Sequence, residues 1–412
     1  MTQTTAQGPL AGIRVLDMSR ILAGPWIGQL LADLGAEVIK IERPGKGDDT
    51  RAWGPPFVKD RDGNDTSDAA YFMCTNRGKQ SLTLDIAKPE GQQIIRELAQ
   101  KSDVLLENYK VGDLKRYGLG YDTLSALNPR LIYCSVTGFG QTGPYRDRAG
   151  YDFMIQGMAG VMSITGERDD LPGGGPQKVG VAIADLMTGM YSTVGIVSAL
   201  HERHASGKGQ HIDMALLDCT VGWLANQNAN YLIGGEVPKR MGNAHPNVMP
   251  YQTFKTKDGD IIIATGNDGQ FQRLCAAAGI PEVGADARYA NNALRIKNRD
   301  TCTASIAVEL KKKTTVEWVA LLETVGVPCG PINRLDDVYA DPQVQARGMK
   351  IDVPHPKAGT VPLVANPIKF SRTPLAYDRP PPLVGEHVDT VLRGLLGKSN
   401  AEIAALREKK IV

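Results

Sequence analysis

The chain has little that would direct it to nucleic acid. Its 412 residues carry 47 Lys and Arg against 45 Asp and Glu. The net charge of +2 therefore creates no global field that would attract an anionic polymer. Aromatic residues make up only 6% of the chain, and no basic run is interleaved with them as single-strand binding requires. We expect no nucleic-acid partner.

Long hydrophobic runs and paired cysteines are also missing. No stretch of about 18 uncharged apolar residues occurs, so we expect no membrane span. Residues 1–10, MTQTTAQGPL, lack the basic and apolar regions of a secretory signal. The six cysteines form no Cys-x-x-Cys pair, which favours buried, reduced thiols. Together these absences predict a cytoplasmic protein.

The sequence motifs of several enzyme classes are absent as well. The turn after the first predicted strand reads SRILAGP and lacks the glycines with which an NAD-binding domain approaches a pyrophosphate. No G-x-S-x-G elbow of a serine hydrolase occurs. His201 and His204 lie near the end of a predicted helix, where basic groups are favourable without a metal. We therefore expect no metal site.

Strands and helices alternate through the first half of the chain. Residues 13–18 and 37–42 are predicted to be strands. Between them we expect a helix that begins at Pro25 and carries its apolar face over 26–34. Further strands are predicted at 104–107, 131–136 and 212–216. This alternation predicts an α/β fold with a Rossmann-like large domain.

The character of the sequence changes near residue 236. A loop rich in Gly, Pro and Asn at 237–251 is followed by a predicted hairpin at 253–265, with Asp258 and Gly259 at its turn. Helices are predicted at 269–278, 294–311 and 314–325. This part of the chain is typical of a smaller α+β domain.

Basic residues recur where the predicted strands end. Arg43, Lys46 and Arg51 follow the second strand, whereas Lys110 and Arg116 follow the strand at 104–107. In open α/β sheets the ligand crevice lies at the carboxyl ends of the strands. Arginine and lysine side chains there suit a ligand with several phosphates.

Asp185 ends the apolar run 179–184 and directly precedes a predicted helix at 186–204. One interpretation is a helix N-cap, a position that Asp favours. The other is a nucleophilic or proton-transferring carboxylate, held by helix N–H groups in a mostly apolar setting. The pattern alone leaves both interpretations open.

These segments together resemble the class III coenzyme A transferases, the family of formyl-CoA transferase and carnitine-CoA transferase. The resemblance covers essentially the whole chain. It begins with LAGIRVLDMSRILAGPWIGQLLADLGAEVIKIERPGKGD and continues through NRGKQSLTLDIAKPEG, GYDFMIQGMAG, VAIADLMTG and GKGQHIDMALLD in the order of the family.

The resemblance implies an interlocked, ring-like homodimer. It also implies that the C-terminal tail returns to the large, CoA-binding domain. We accordingly predict that residues 1–225 and 336–412 form that domain and that residues 226–335, with linkers, form the small one.

For catalysis, the resemblance implies that Asp185 is the nucleophile, with Tyr151 and Asp152 beside it. The carboxylate would attack an acyl-CoA thioester and then carry CoA as an aspartyl thioester. Coenzyme A enters as a substrate thioester, and neither a metal nor a redox cofactor is expected.

The resemblance also assigns binding residues, at the positions of this chain that match binding positions of the family. Those expected to contact coenzyme A are Leu22, Ala23, Arg43, Leu84, Asp85, Asn108, Tyr109, Lys110 and Arg116. Those expected to contact the acyl group or to cover the site are Gly242, Asn243 and His245. His245 could bind the distal carboxylate of the acceptor or only shape its loop, and whether Gly173–Gly175 closes over the site stays open.

Differences between members of the family restrict the reactions that we expect of this chain. Formyl-CoA transferases have Gln where this chain has Leu22, which argues against formyl-CoA:oxalate transfer. Racemases of 2-methylacyl-CoA, which act by α-proton exchange, have His where this chain has Tyr151, and a phenol is a poor base at neutral pH. The pattern is most similar to members that pass CoA from succinyl-CoA to a dicarboxylate such as glutarate. Retention of Asp185 and Tyr151 argues against a CoA-binding protein without activity.

Overall fold

The computed structural model describes residues 8–412. The expected absence of a signal sequence concerns residues 1–10, of which residues 1–7 lie outside the described residues. The chain forms two compact units. The first comprises the residues up to 161 together with 179–228 and 343–412, and the second comprises 162–178 and 229–342. The predicted domain limits at 225 and 335 stay predictions.

The described strands are short, with three to six residues each. In chain order they are β1 (Arg14–Asp17), β2 (Glu37–Glu42), β3 (Phe57–Lys59), β4 (Asp65–Ala69), β5 (Lys79–Thr83), β6 (Val104–Glu107), β7 (Ile132–Thr137), β8 (His211–Ala215), β9 (Tyr251–Lys255), β10 (Asp260–Ala264), β11 (Cys329–Pro331), β12 (Lys350–His355) and β13 (Gly359–Val364).

The helices separate these strands. They are α1 (Ala23–Asp33), α2 (Ala70–Met73), α3 (Pro89–Gln100), α4 (Asp113–Arg116), α5 (Tyr121–Leu127), α6 (Asp152–Met158), α7 (Val161–Ile164), α8 (Ile183–Ser206), α9 (Leu216–Trp223), α10 (Asn226–Gly234), α11 (Asp268–Ala277), α12 (Pro281–Ala285), α13 (Asn292–Lys297), α14 (Arg299–Leu310), α15 (Thr315–Thr324), α16 (Leu335–Ala340), α17 (Pro342–Ala346), α18 (Val388–Gly394) and α19 (Asn400–Glu408). Two 3₁₀ turns lie at Asp49–Ala52 and Ala287–Tyr289.

A six-stranded sheet in the order β5-β2-β1-β6-β7-β8 forms the centre of the first unit. All its strand pairs are parallel, which confirms the predicted α/β class. Strands buried on both faces need apolar side chains on both, and β1, β2 and β6 read RVLD, EVIKIE and VLLE. Parallel strands also bring their carboxyl ends to one edge, where ligand sites form.

Two apolar cores cover the two faces of this sheet. One contains Leu16, Leu105 and Tyr133 with side chains of α3, α18 and α19. The other contains Val15, Leu106 and Ile132 with side chains of α1 and α8. The alternation of neighbours such as Val15 and Leu16 between these cores is the period-2 pattern of a strand.

The second unit has its own core beside a three-stranded antiparallel sheet, β11-β10-β9. Strands β9 and β10 form the predicted hairpin, with Gly259 N–H bonded to Thr256 Oγ1 at the turn. Ile261 and Ile263 of β10 face Phe271, Trp318 and other buried side chains of the surrounding helices. This unit is therefore a small α+β body.

Helix α8 is the longest described helix, at 24 residues. Its length and composition would also suit a membrane span, but the core helix of a soluble protein passes the same test. The helix packs closely on α1, because a Cβ atom placed on Gly189 would lie 2.8 Å from the side chain of Trp26. The small residue lets the two helices approach closely.

Candidate active site

A cavity of about 330 Å³ lies at the carboxyl ends of β1, β6 and β7, which are neighbours in the sheet. The segments that leave these strands line it, including Arg20–Ala23, Asn108–Val111 and Thr137–Gly138. Tyr151 and Asp185 complete the wall. The fold thus gathers residues from distant parts of the sequence at the edge where open parallel sheets bind their ligands.

Asp185 lies inside the first turn of α8 rather than before the helix. The helix begins at Ile183, and Ala182 is its N-cap residue without a side-chain cap. The predicted helix start at residue 186 and the N-cap interpretation of Asp185 are therefore wrong. The first N–H groups of a helix have no intrahelical acceptor, so this turn needs an acceptor from elsewhere in the fold.

Asp152 supplies that acceptor. Its Oδ2 accepts hydrogen bonds from Ala184 N–H at 2.8 Å and from Asp185 N–H at 3.4 Å. Its Oδ1 accepts one from Gln156 Nε2 at 2.7 Å. Both oxygens are therefore occupied by groups that hold the start of α8, and Asp152 does not line the cavity.

The electrostatic environment makes Asp185 an unusual carboxyl group. Burial and, to a lesser extent, the negative charge of Asp152 raise the pKa of Asp185 to about 7. Both causes penalise the ionised form. When the carboxylate does form, it has lost part of its hydration, which increases its reactivity as a nucleophile.

Two residues that shape this site were not predicted. Gln156 is fully buried and accepts a hydrogen bond from Val179 N–H at 2.9 Å, which fixes the approach to α8. Burial and the charges of Asp185, Cys74 and Asp152 raise the pKa of Tyr71 to about 12. Its hydroxyl therefore stays protonated and can donate a hydrogen bond. No local sequence signal marks either residue, since each depends on side chains distant along the chain.

Of the residues predicted to act beside or bind the substrate, the cavity brings together Leu22, Ala23, Asn108, Tyr109, Lys110, Tyr151 and Asp185. Tyr151 is 69% exposed there. The other predicted coenzyme A ligands do not line the cavity. Leu84 is a core residue, Asp85 accepts a hydrogen bond from Ala87 N–H, and Arg116 is exposed and paired with Asp113.

Cationic side chains surround the cavity. Arg20, Lys110, Arg146 and Arg148 line it, and Arg43 joins Arg20 through a shared partner, Asp49. Guanidinium and ammonium groups of this kind suit the phosphates of a nucleotide. The predicted role of Arg43 in binding coenzyme A stays a prediction.

The predicted acyl-group or lid residues belong to the second unit. Gly242 has a φ of 57°, and a Cβ atom there would lie 2.8 Å from Glu167 Oε1. Asn243 donates to Thr253 Oγ1 at 3.3 Å, and His245 Nδ1 accepts from Asn247 N–H at 3.1 Å. These contacts fix the loop locally, and its predicted role toward substrate stays a prediction.

Comparison with known proteins shows which family the chain is similar to. Residues 10–388 match the model of a family described as CoA-transferase family III. The succinate–glutarate CoA-transferase of Agrobacterium fabrum is 53% identical over 387 residues, which cover 94% of this chain and 96% of that protein. The human succinyl-CoA:glutarate CoA-transferase is 42% identical over 404 residues, which cover 98% and 90%.

A solved structure is similar over almost the same length. The crystal structure of a CAIB/BAIF family protein from Brucella suis superimposes with a TM-score of 0.83. It is 52% identical in sequence, and the match covers 94% of this chain and all of that one.

Proposed function

Because the chain belongs to CoA-transferase family III, we propose that it moves CoA from succinyl-CoA to a dicarboxylate such as glutarate through a covalent intermediate on Asp185. The observation that carries this proposal is the desolvated carboxylate of Asp185 on the wall of a cavity that cationic side chains also line. The names of the two similar enzymes from Agrobacterium fabrum and human support the choice of donor and acceptor.

In the first half of the reaction, a carboxylate oxygen of Asp185 attacks the thioester carbonyl carbon of succinyl-CoA. A carbon–oxygen bond forms, the carbon–sulfur bond breaks, and CoA leaves as its thiolate. The thiolate then attacks the Asp185 carbonyl of the mixed anhydride. Succinate leaves, and Asp185 carries CoA as a thioester.

In the second half, a carboxylate of the acceptor attacks this aspartyl thioester and displaces the CoA thiolate. The thiolate then attacks the acceptor carbonyl of the new anhydride. The acceptor leaves as its CoA thioester and Asp185 returns as a carboxylate. Atoms and charges balance without an oxidant or reductant. Each carboxylate attack replaces an acyl–sulfur bond by an acyl–oxygen bond, and each thiolate attack makes the reverse exchange.

The surroundings of Asp185 have separate tasks in this scheme. Asp152 accepts hydrogen bonds from Ala184 N–H and Asp185 N–H and so fixes the backbone that carries the Asp185 carboxylate. The hydroxyl of Tyr71, which its raised pKa keeps protonated, can donate a hydrogen bond to a carbonyl oxygen that becomes negative during attack. The hydroxyl of Tyr151 on the cavity wall can act in the same way. The cations around the cavity neutralise the phosphates of coenzyme A.

The acceptor class is tested by comparing glutarate with pentanoate, which has the same carbon chain but lacks the distal carboxylate. Each acid is incubated with succinyl-CoA, and the CoA thioesters formed are followed by mass spectrometry. We expect glutaryl-CoA to form at least roughly tenfold faster than pentanoyl-CoA, because arginine and lysine side chains on the cavity wall can pair with the distal carboxylate. Equal rates would overturn the dicarboxylate assignment. Deuterium uptake from water at the α-carbon of 2-methylacyl-CoA, without transfer, would instead indicate a racemase.

We also propose that the enzyme acts as an interlocked homodimer. Helix α8 exposes a row of apolar side chains, Met190, Tyr191, Val194 and Val197, and α10 exposes Tyr231, Leu232 and Ile233. Contiguous exposed apolar patches on soluble proteins commonly mark an interface. A second copy of the chain is the partner that the family resemblance implies.

A further inference from the structure

The segment between β1 and α1 is held by side chains at successive backbone groups. Ser19 N–H donates to Asp17 Oδ1 at 3.0 Å, and the Ser19 carbonyl accepts from Lys40 Nζ at 2.9 Å. Arg20 N–H donates to Asn108 Oδ1 at 2.9 Å, and the Arg20 carbonyl accepts from Asn108 Nδ2 at 2.7 Å. Such complete pairing fixes the path of a segment that has no regular secondary structure.

Ile21, the next residue, has a backbone conformation that its surroundings must hold in place. Ile21 has a φ of 73°, in the left-handed region that a β-branched residue rarely adopts. This conformation persists only when the surroundings enforce it, and such residues concentrate at functional sites. Ile21 lines the same cavity as Asp185, so the enforced backbone forms part of the reaction chamber.

Asn108 is placed to enforce this conformation of Ile21. The residue directly follows β6, and both polar atoms of its carboxamide are bonded to the backbone of Arg20. From this geometry we infer that Asn108 is a positioning residue, which holds Arg20–Ile21 against the Asp185 cavity, and that its side chain is not a coenzyme A ligand. This inference rests on the proposed function only for its effect on turnover.

A buried ionic cluster supports the segment from the other side. Lys40 Nζ lies 2.9 Å from Asp48 Oδ2, and both side chains are almost fully buried. Lys79 Nζ lies 2.9 Å from Asp17 Oδ2 and donates to the carbonyl of Pro25 in α1. Removing one of these charges would leave its partner buried and unpaired, which endangers the whole fold. Asn108 is uncharged, so it is the member of this arrangement that can be tested cleanly.

The experiment uses Asn108→Ala and the isosteric Asn108→Asp in the full chain. Asp keeps the acceptor for Arg20 N–H but places a carboxylate oxygen against the Arg20 carbonyl oxygen, where Asn donates at 2.7 Å. The two oxygens repel each other, so Asn108→Asp should also release the segment. Asn128→Ala is the matched control. Asn128 also joins backbone groups through its carboxamide, to Ala99 and Ser102 carbonyls at 2.9 Å, but it does not line the cavity.

Two measurements need no turnover. Hydrogen exchange followed by mass spectrometry should show peptides spanning 18–24 exchanging roughly tenfold faster in Asn108→Ala than in the wild type or in Asn128→Ala. The dissociation constant of free coenzyme A should stay within about threefold of the wild-type value. With succinyl-CoA and glutarate, kcat should fall roughly tenfold to a hundredfold while KM for succinyl-CoA changes by less than about threefold.

Three results would overturn the inference. Unchanged exchange over 18–24 would show that Asn108 does not hold the segment. Coenzyme A binding weakened by more than roughly tenfold, with kcat retained, would make Asn108 a ligand. Loss of thermal stability alone, equal to that of Asn128→Ala, would make its role purely structural. Because exchange and affinity are measured without turnover, they decide the question even if the wild type transfers no CoA from succinyl-CoA to glutarate.

Discussion

At the scale of single residues, the two carboxylates of the site have different tasks. Asp152 uses both oxygens to hold the first turn of α8 and Gln156. Asp185 has the raised pKa and faces the cavity. The sequence placed the two residues beside each other by resemblance but could not assign these roles, because the roles depend on hydrogen bonds between distant segments.

This division predicts the pH dependence of the reaction. The proposed nucleophile is the ionised form of Asp185, whose pKa is raised to about 7. The value of kcat/KM for the acyl-CoA should therefore fall as the pH decreases through about 7. Asp152→Asn removes one of the two causes, the neighbouring charge. The pKa of Asp185 should then decrease, and the acidic limb of the profile should move to lower pH. Because burial remains, the pKa should stay above its ordinary value.

Asp147→Asn is the control for this profile, since Asp147 lines the same cavity but is not among the charges that raise the pKa of Asp185. The acidic limb of the Asp147→Asn profile should coincide with that of the wild type. If the acidic limb of the Asp152→Asn profile stays in place or moves to higher pH, Asp152 does not raise the pKa of Asp185.

At the scale of secondary-structure elements, a buried arginine ties several segments of the first unit together. Arg51, 3% exposed, pairs with Glu42 of β2 at 2.7 Å and with Asp68 of β4 at 2.6 Å. It also donates to the carbonyl of Pro382 at 2.9 Å. Arg51 thus helps to link the C-terminal part of the chain to the central sheet.

Arg51→Met should decrease the free energy of unfolding of the protein by roughly 3–5 kcal/mol, because it leaves two buried carboxylates without their cation. Chemical denaturation monitored by circular dichroism measures the change. Arg407→Met, which removes an exposed pair with Asp389, should change it by less than about 1 kcal/mol. A loss in Arg51→Met as small as in this control would contradict the assigned role.

The elements themselves were largely predictable, whereas their exact ends were not. The strands of the central sheet follow from apolar runs bounded by turns, and β2 begins and ends as predicted, at Glu37 and Glu42. Helix α1 begins at Ala23, two residues before Pro25, because the fixed φ of proline suits any position of the first turn. Near the end of the chain, a turn in which Gly397 has a φ of 69° separates α18 from α19.

The candidate site was predictable to the extent that it depends on sequence motifs. Resemblance located Asp185, Tyr151 and the segments after β1 and β6, and the structure places these at one cavity. The resemblance could not identify Tyr71 or Gln156, because they act through contacts between distant segments. For the same reason it could not identify the hydrogen bonds of Asn108 to the Arg20 backbone. Local patterns carry no information about which distant backbone a side chain reaches.

At the scale of the whole molecule, the exposed apolar residues of α8 and α10 lead to a prediction about assembly. Ile233, 89% exposed on α10, should be covered in the proposed homodimer. Ile233→Glu should therefore weaken association, because it places a charge in an apolar interface. Light scattering after size-exclusion chromatography should give twice the chain mass for the wild type and a lower, concentration-dependent mass for the variant.

Val316→Glu is the matched control, because Val316 is 77% exposed on α15 without belonging to either apolar row. It should leave the mass of the wild type unchanged. A wild-type protein that elutes at the mass of a single chain at all concentrations would contradict the proposed dimer, whatever the variants do.

The central claim is that Asp185 becomes covalently attached to coenzyme A. The most direct test mixes the protein with succinyl-CoA, traps the intermediate with hydroxylamine, and maps the modified peptide by mass spectrometry. The account predicts a hydroxamate on Asp185 in the wild type and none in Asp185→Asn. Transfer of CoA to glutarate with the Asp185 peptide left unmodified at every time point would contradict it.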